Sequence, residues 1–217
     1  MNPGRLLVTV LETGPLLENA YLVSDSATGD AVVVDPGEDA DRLTDAIGSG
    51  GLRLGAIWLT HAHFDHIGAV GPLRRRFAVP VYLHEADLAL FEAGPFQAAS
   101  YGLAFEGDEL PAERLSEGQG LTVGGLSFEV MHTPGHSPGH VVIHGHGIAL
   151  VGDCLFAGSI GRTDLPLGNA ASLARSLRRI LDLDPETRVL PGHGPPTTIG
   201  EERRSNPFVR ELPGFHR

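Results

Sequence analysis

The stretch "LTHAHFDHIG" (59–68) packs His61, His63, Asp65 and His66 into six positions. This spacing suits metal ligation from a loop rather than from a helix. Two ligands on one helical face need positions i and i+4, whereas i and i+2 point to opposite sides. Three further segments carry ligand-type residues. "HTPGHSPGH" offers His132, His136 and His140, "LVGDCLF" places Asp153 after an apolar run, and "VLPGHGPP" places His193 the same way. H-x-H-x-D-H followed in order by P-G-H, G-D and P-G-H makes seven ligands: His61, His63, Asp65, His66, His136, Asp153 and His193. That is enough for two metals, each with an open position. Such a pair lowers the pKa of a shared water from about 15.7 to about 7, so hydroxide forms near neutral pH. The hydroxide then attacks an acyl carbon while one metal takes the developing oxyanion. All 16 basic residues are arginine, so no lysine serves as nucleophile, base or anion clamp, and this chemistry needs none.

The ligand segments follow apolar runs that read as strands. "RLLVTVLE" (5–12), "NAYLVS" (19–24) and "AVVVD" (31–35) suggest an antiparallel meander. "DADRLTDAIG" (39–48) reads as a helix, "LGAIWL" (54–59) as a buried strand, and "GAVGPLRRRFA" (68–78) as a helix with Pro72 in its first turn. A strand at 79–84 and a short helix at 85–94 follow. Residues 95–118 show no steady period and are taken as a long surface segment, either a lid or a packed connection. Strands are expected at 120–133, 140–145, 147–153 and 187–192, with a helix at 169–183. Strands and helices thus alternate in two comparable halves, which two facing sheets with helices outside would satisfy. The glycines beside His136, Asp153 and His193 let the backbone approach closely.

Composition narrows the function. The formal charge of −11 disfavours a nucleic-acid partner. No run approaches the roughly 20 apolar residues of a membrane span, and the N-terminus lacks a signal-peptide pattern. A cytoplasmic protein without a membrane partner is expected. The single Cys154 excludes an intramolecular disulfide and is read as packing.

These motifs resemble the metallo-β-lactamase superfamily and, within it, the glyoxalase II branch, over nearly the whole chain from "NAYLV" through "TTIGEERRSNPF". The resemblance implies a single domain over 1–217 with the α/β, four-layer αββα sandwich. It assigns His61, His63 and His136 to a first metal, and Asp65, His66 and His193 to a second. Asp153 bridges both, and Asp65 also orients the attacking hydroxide as the catalytic residue. His132 and His140 are left for orientation or packing, and nothing singles out His84, His144, His146 or His216. The implied cofactors are two divalent ions, zinc first, with iron or manganese as alternatives. The implied partner is a small thioester such as S-lactoylglutathione, and the oligomeric state stays open.

Three departures touch the substrate. Full-length glyoxalase II adds a basic C-terminal helical domain, whereas 24 residues follow His193 here. The family's tyrosine two positions after that histidine is Pro195, and its lysine and tyrosine after the bridging aspartate fall at Arg162 and Asp164. Arg162 is expected either to clamp a substrate carboxylate or to brace its own loop through Asp164. The chief alternative is a persulfide dioxygenase, which shares "GRTD" and would hold one iron through His61, His136 and Asp153.

Overall fold

The structure is a computed structural model and describes residues 4–212. His216 lies outside them. The opening meander forms as expected: β1 (Leu6–Thr13), β2 (Glu18–Asp25) and β3 (Asp30–Val34) pair antiparallel. β4 (Arg53–Trp58), β5 (Val81–His84) and β6 (Glu113–Leu115) add in parallel, completing a sheet in the order β1 to β6. The second sheet uses β7 (Gly120–Val123), β8 (Leu126–His132), β9 (Val141–Gly145), β10 (Ile148–Gly152), β13 (Arg188–Pro191) and β14 (Thr197–Thr198), ordered β14-β13-β10-β9-β8-β7. A small hairpin, β11 (Leu155–Phe156) and β12 (Ser159–Ile160), lies between β10 and β13 in the chain.

Strand alternation explains the layers. On β2 and β3, Ala20, Leu22, Ala31 and Val33 face helices α1 (Ala40–Ser49) and α3 (Val70–Phe77), which follows the four-residue α2 (Phe64–Ile67). Their neighbours Tyr21, Val23, Val32 and Val34 face the second sheet, meeting Phe128, Val130, Ile143 and Leu150. The far side of the second sheet, with Val142, Ala149 and Val151, is covered by helix α6 (Ala170–Leu181). Helix, sheet, sheet and helix therefore stack as the αββα sandwich. Cys154, just past the end of β10, is buried in this third core.

The segment 95–118 is more ordered than its lack of period suggests. The helix expected at 85–94 is a 3-10 turn (Glu85–Asp87) followed by α4 (Leu88–Glu92). A further helix, α5 (Gly94–Ser100), starts directly afterwards, with Pro95 in its first turn where a missing N–H costs nothing. β6 then pairs with β5. Two C-terminal helices were also not expected, α7 (Ile199–Ser205) and α8 (Pro207–Arg210). Their starts are capped by Thr198 and Asn206, whose side chains accept backbone N–H bonds. Among the described residues, no helix is long and apolar enough to cross a membrane.

Candidate metal centre

The seven ligand-type residues converge at one end of the sandwich. His61 and His63 sit in the loop after β4, and Asp65 and His66 on the short α2. His136 comes from the loop between β8 and β9, Asp153 from just after β10 and His193 from just after β13. Facing ligand atoms of His61, His63 and His136 lie within 4.8 Å of one another, as do those of Asp65, His66 and His193. Asp153 stands between the two groups. Its Oδ1 is 3.4 Å from His66 Nε2, and its Oδ2 is 3.6 Å from His136 Nε2 and 3.7 Å from His193 Nε2. Asp65 Oδ2 is 3.2 Å from His193 Nε2. Gly192 permits this closeness, because a Cβ there would strike Asp153 and His66.

Hydrogen bonds behind the rings set the tautomers. Thr60 Oγ1 donates to Asp35 Oδ2 (2.6 Å), so it can only accept from His61 Nδ1 (3.1 Å). Asp35 also accepts from His66 Nδ1 at 3.2 Å. The carbonyl of Arg162 accepts from His136 Nδ1 (2.9 Å), and that of Leu16 from His193 Nδ1 (3.2 Å). Four imidazoles therefore carry the proton on Nδ1 and aim a bare Nε2 lone pair into the centre, the usual arrangement of metal-bound histidine. His63 turns Nδ1 inward instead, 2.8 Å from His136 Nε2. Asp35, His61 and His66 also form a ligand-like group. The Asp35 oxygens, however, are already engaged by the backbone N–H and hydroxyl of Thr60, so its place is behind the rings.

The donor set fits divalent cations. Among the described residues, five buried side-chain polar atoms lack a hydrogen-bond partner, and three of them are His61 Nε2, His66 Nε2 and Asp153 Oδ1. A buried unsatisfied polar group costs about 1–3 kcal/mol; a bound cation removes that cost. Burial, reinforced by the neighbouring histidines, lowers the pKa of His61 and His63, keeping both neutral. Burial also pulls His66 down, but Asp153 and Asp65 outweigh it and raise it. Burial would raise Asp153; His66, His136 and His193 hold it well below the carboxylate range. The cluster thus sets two carboxylates among five imidazoles, a donor set that suits divalent ions.

Several supporting residues carried no local signal in the sequence. The buried Asp87 accepts from Ser137 Oγ (2.6 Å), Gly139 N (2.5 Å) and Ala62 N (3.2 Å), tying the His61–His63 loop to the His136 loop. Asn19 on β2 donates to the carbonyls of Pro191 (3.0 Å) and Gly194 (2.8 Å), and so fixes the turn that bears His193. The buried Glu18 stands 3.6 Å from His66 Nδ1. Of the histidines left over, His140 accepts the backbone N–H of Asp153 through Nε2 (3.1 Å), which positions that carboxylate. His132 bonds the Pro138 carbonyl (2.9 Å) and stacks on His84 with centroids 4.1 Å apart. Arg162 forks onto Asp164 with contacts of 2.7 and 2.9 Å. Asp164 thus engages the Nε and one terminal nitrogen of the guanidinium, the side of its fork a bidentate carboxylate would otherwise take.

Five of the seven, His63, Asp65, His136, Asp153 and His193, line a cavity of about 730 Å³. Leu90, Phe96, Tyr101, Phe156, Ile160 and Leu167 supply its apolar lining. An αββα sandwich that opens such a pocket over paired metal-ligand groups has the architecture of a metal-dependent hydrolase. The chain belongs to the metallo-beta-lactamase superfamily, which it matches over residues 13–193. It is 39% identical over 207 residues to the hydroxyacylglutathione hydrolase GloC of Haemophilus influenzae, an alignment spanning 93% of this chain and 97% of that one. Among solved structures, it resembles TTHA1623 in a di-iron-bound form, with 48% identity and a TM-score of 0.86 over 92% of this chain and 99% of the other. It also resembles the BLEG-1 B3 metallo-beta-lactamase, with 40% identity and a TM-score of 0.88 over 96% and 100% of the two chains.

Proposed function

We propose that this metallohydrolase cleaves thioesters at a site holding two divalent metal ions. The observation that carries the reading is the convergence of four Nε2 lone pairs and His63 Nδ1 around Asp65 and Asp153 at the floor of the cavity. When bound, the ions supply acidity for a water and a Lewis acid for the acyl oxygen. His61, His63 and His136 would hold one and Asp65, His66 and His193 the other, with Asp153 between the two groups. Asp65 lines the cavity, where its carboxylate would orient the attacking water, take its proton and pass it to the leaving sulfur. The water oxygen bonds to the acyl carbon, the C–S bond breaks, and the products are a carboxylic acid and a thiol. The walls bury the acyl group and keep competing water from it. The relationship to GloC supports a thioester, and the di-iron form of TTHA1623 supports iron as the alternative to zinc.

The test is metal analysis of the purified protein beside three assays: thiol release from thioesters, hydrolysis of a chromogenic cephalosporin, and oxygen uptake with a glutathione persulfide. Two metals per chain with thiol release are expected. Faster cephalosporin turnover, or a single iron with oxygen uptake, would overturn the reading.

A further inference from the structure

The mouth of the cavity is apolar in an unusual way. Among the described residues, nine large hydrophobic side chains are exposed, and four of them line this one pocket. Phe96 is 81% exposed, Leu167 61%, Tyr101 51% and Leu16 37%. Phe96 and Tyr101 stand on or beside α5, and Leu167 on the loop before α6, so separate segments of the chain bring them to one opening. Scattered surface apolars need no explanation, but a cluster around one pocket marks a surface that something apolar covers.

The charge pattern of the same rim points the same way. With no lysine in the chain, an anion clamp must be arginine. Among the described residues lining the cavity, the only arginine is Arg162, and Asp164 occupies its fork. Arg162 holds the Asp164 carboxyl down to about 2, so the partner stays ionised at any working pH. A tethered carboxylate two residues away competes at high effective concentration against one arriving on a ligand. A tripeptide thiol with two carboxylates therefore finds no unopposed cation at this rim.

We infer that the preferred substrate is a thioester with an uncharged apolar arm, seated between Phe96 and Leu167, rather than a glutathione thioester. This rests on the thioester reading above and specifies the substrate class of that same site. The specificity is carried by desolvation, which scales with the apolar surface that the arm buries.

The test compares metal-loaded enzyme on S-acetyl-, S-butyryl- and S-hexanoyl-N-acetylcysteamine with S-lactoylglutathione. kcat/KM should rise about three- to fourfold per methylene until the cavity is filled, and the hexanoyl ester should exceed S-lactoylglutathione. Phe96→Ala and Leu167→Ala should lower the hexanoyl value more than the acetyl value. Arg162→Ala should leave the ratio of S-lactoylglutathione to the acetyl ester within about twofold, as for an exposed ion pair of little net worth. A flat chain-length series, or a loss confined to S-lactoylglutathione in Arg162→Ala, would overturn the inference. Calorimetric binding of the S-hexyl and S-ethyl thioethers is measured in parallel and needs no turnover. Equal affinity of the two thioethers refutes the apolar arm even where thioesters are cleaved. Tighter hexyl binding without any thioester cleavage keeps the apolar site and removes the thioesterase.

Discussion

Asp87 shows how much of a metal site rests on residues that never touch the metal. Its carboxylate accepts from Ala62, between His61 and His63, and from Ser137 and Gly139, just past His136. One buried side chain therefore sets the spacing of all three ligands of the first group. In Asp87→Asn one of these donors would face an amide N–H. The variant should lose about 1–3 kcal/mol of stability and bind metal at the first site about 10- to 100-fold more weakly. Competition with a chromogenic chelator measures both sites; equal weakening of the two would reveal general loosening instead of a clamp. The seven ligand-type residues were legible in the sequence because His61 to His66 form a dense local pattern and the others follow strands with flanking glycines. Asp87, Asp35 and Asn19 were not. Each is a lone polar residue whose partners come from distant segments, so nothing in its own neighbourhood announces it.

At the scale of elements, α6 and the His136 loop form a single unit. Gly135 has φ +145°, a conformation that L side chains rarely adopt, and its open face lies against the backbone of Leu173. Its carbonyl accepts from the N–H of Asn169, the residue that caps α6. Gly135→Ala would drive a methyl into the first turn of that helix. The expected result is a loss of about 1–3 kcal/mol through strained backbone, read in a thermal melt, together with weaker metal binding at His136. A variant that melts normally and binds metal normally would show that the helix can slide aside. The β-branched strands, α1 and the Asn169-capped α6 were legible because their hydrophobic period is regular. α5 was hidden because the Gly94–Pro95 pair that opens it also reads as a stop. β6 was hidden because three residues are too few to show a period, and its pairing with β5 is a tertiary choice.

On the scale of the whole molecule, the two halves of the chain meet at the metal centre. His61, His63, Asp65 and His66 belong to the first sheet's loops, whereas His136, Asp153 and His193 belong to the second's. Bound ions therefore fasten one half to the other. An ion present at a hundredfold over its Kd adds about 2.7 kcal/mol per site, or about 5–10 °C in Tm for a chain of this size. Chelation should lower the Tm by at least that much, and a Tm indifferent to chelator would exclude tight binding to the folded state. The alternation of two comparable halves made the layers legible. The strand order did not show, because β13 joins β10 across α6 and no local pattern records which strand a returning segment will choose.

The division of the ligands between the two sheets bears on how the molecule is made as well as on how long it lasts. Neither half, folded alone, presents a complete ligand set around both metals. The paired ligand groups come together only when the sandwich closes. Ions that arrive after that event cannot hasten it; they act on the return path, where opening the sandwich must first release them. Bound ions would therefore lengthen the lifetime of the folded chain, while the speed of reaching it is left to the strands.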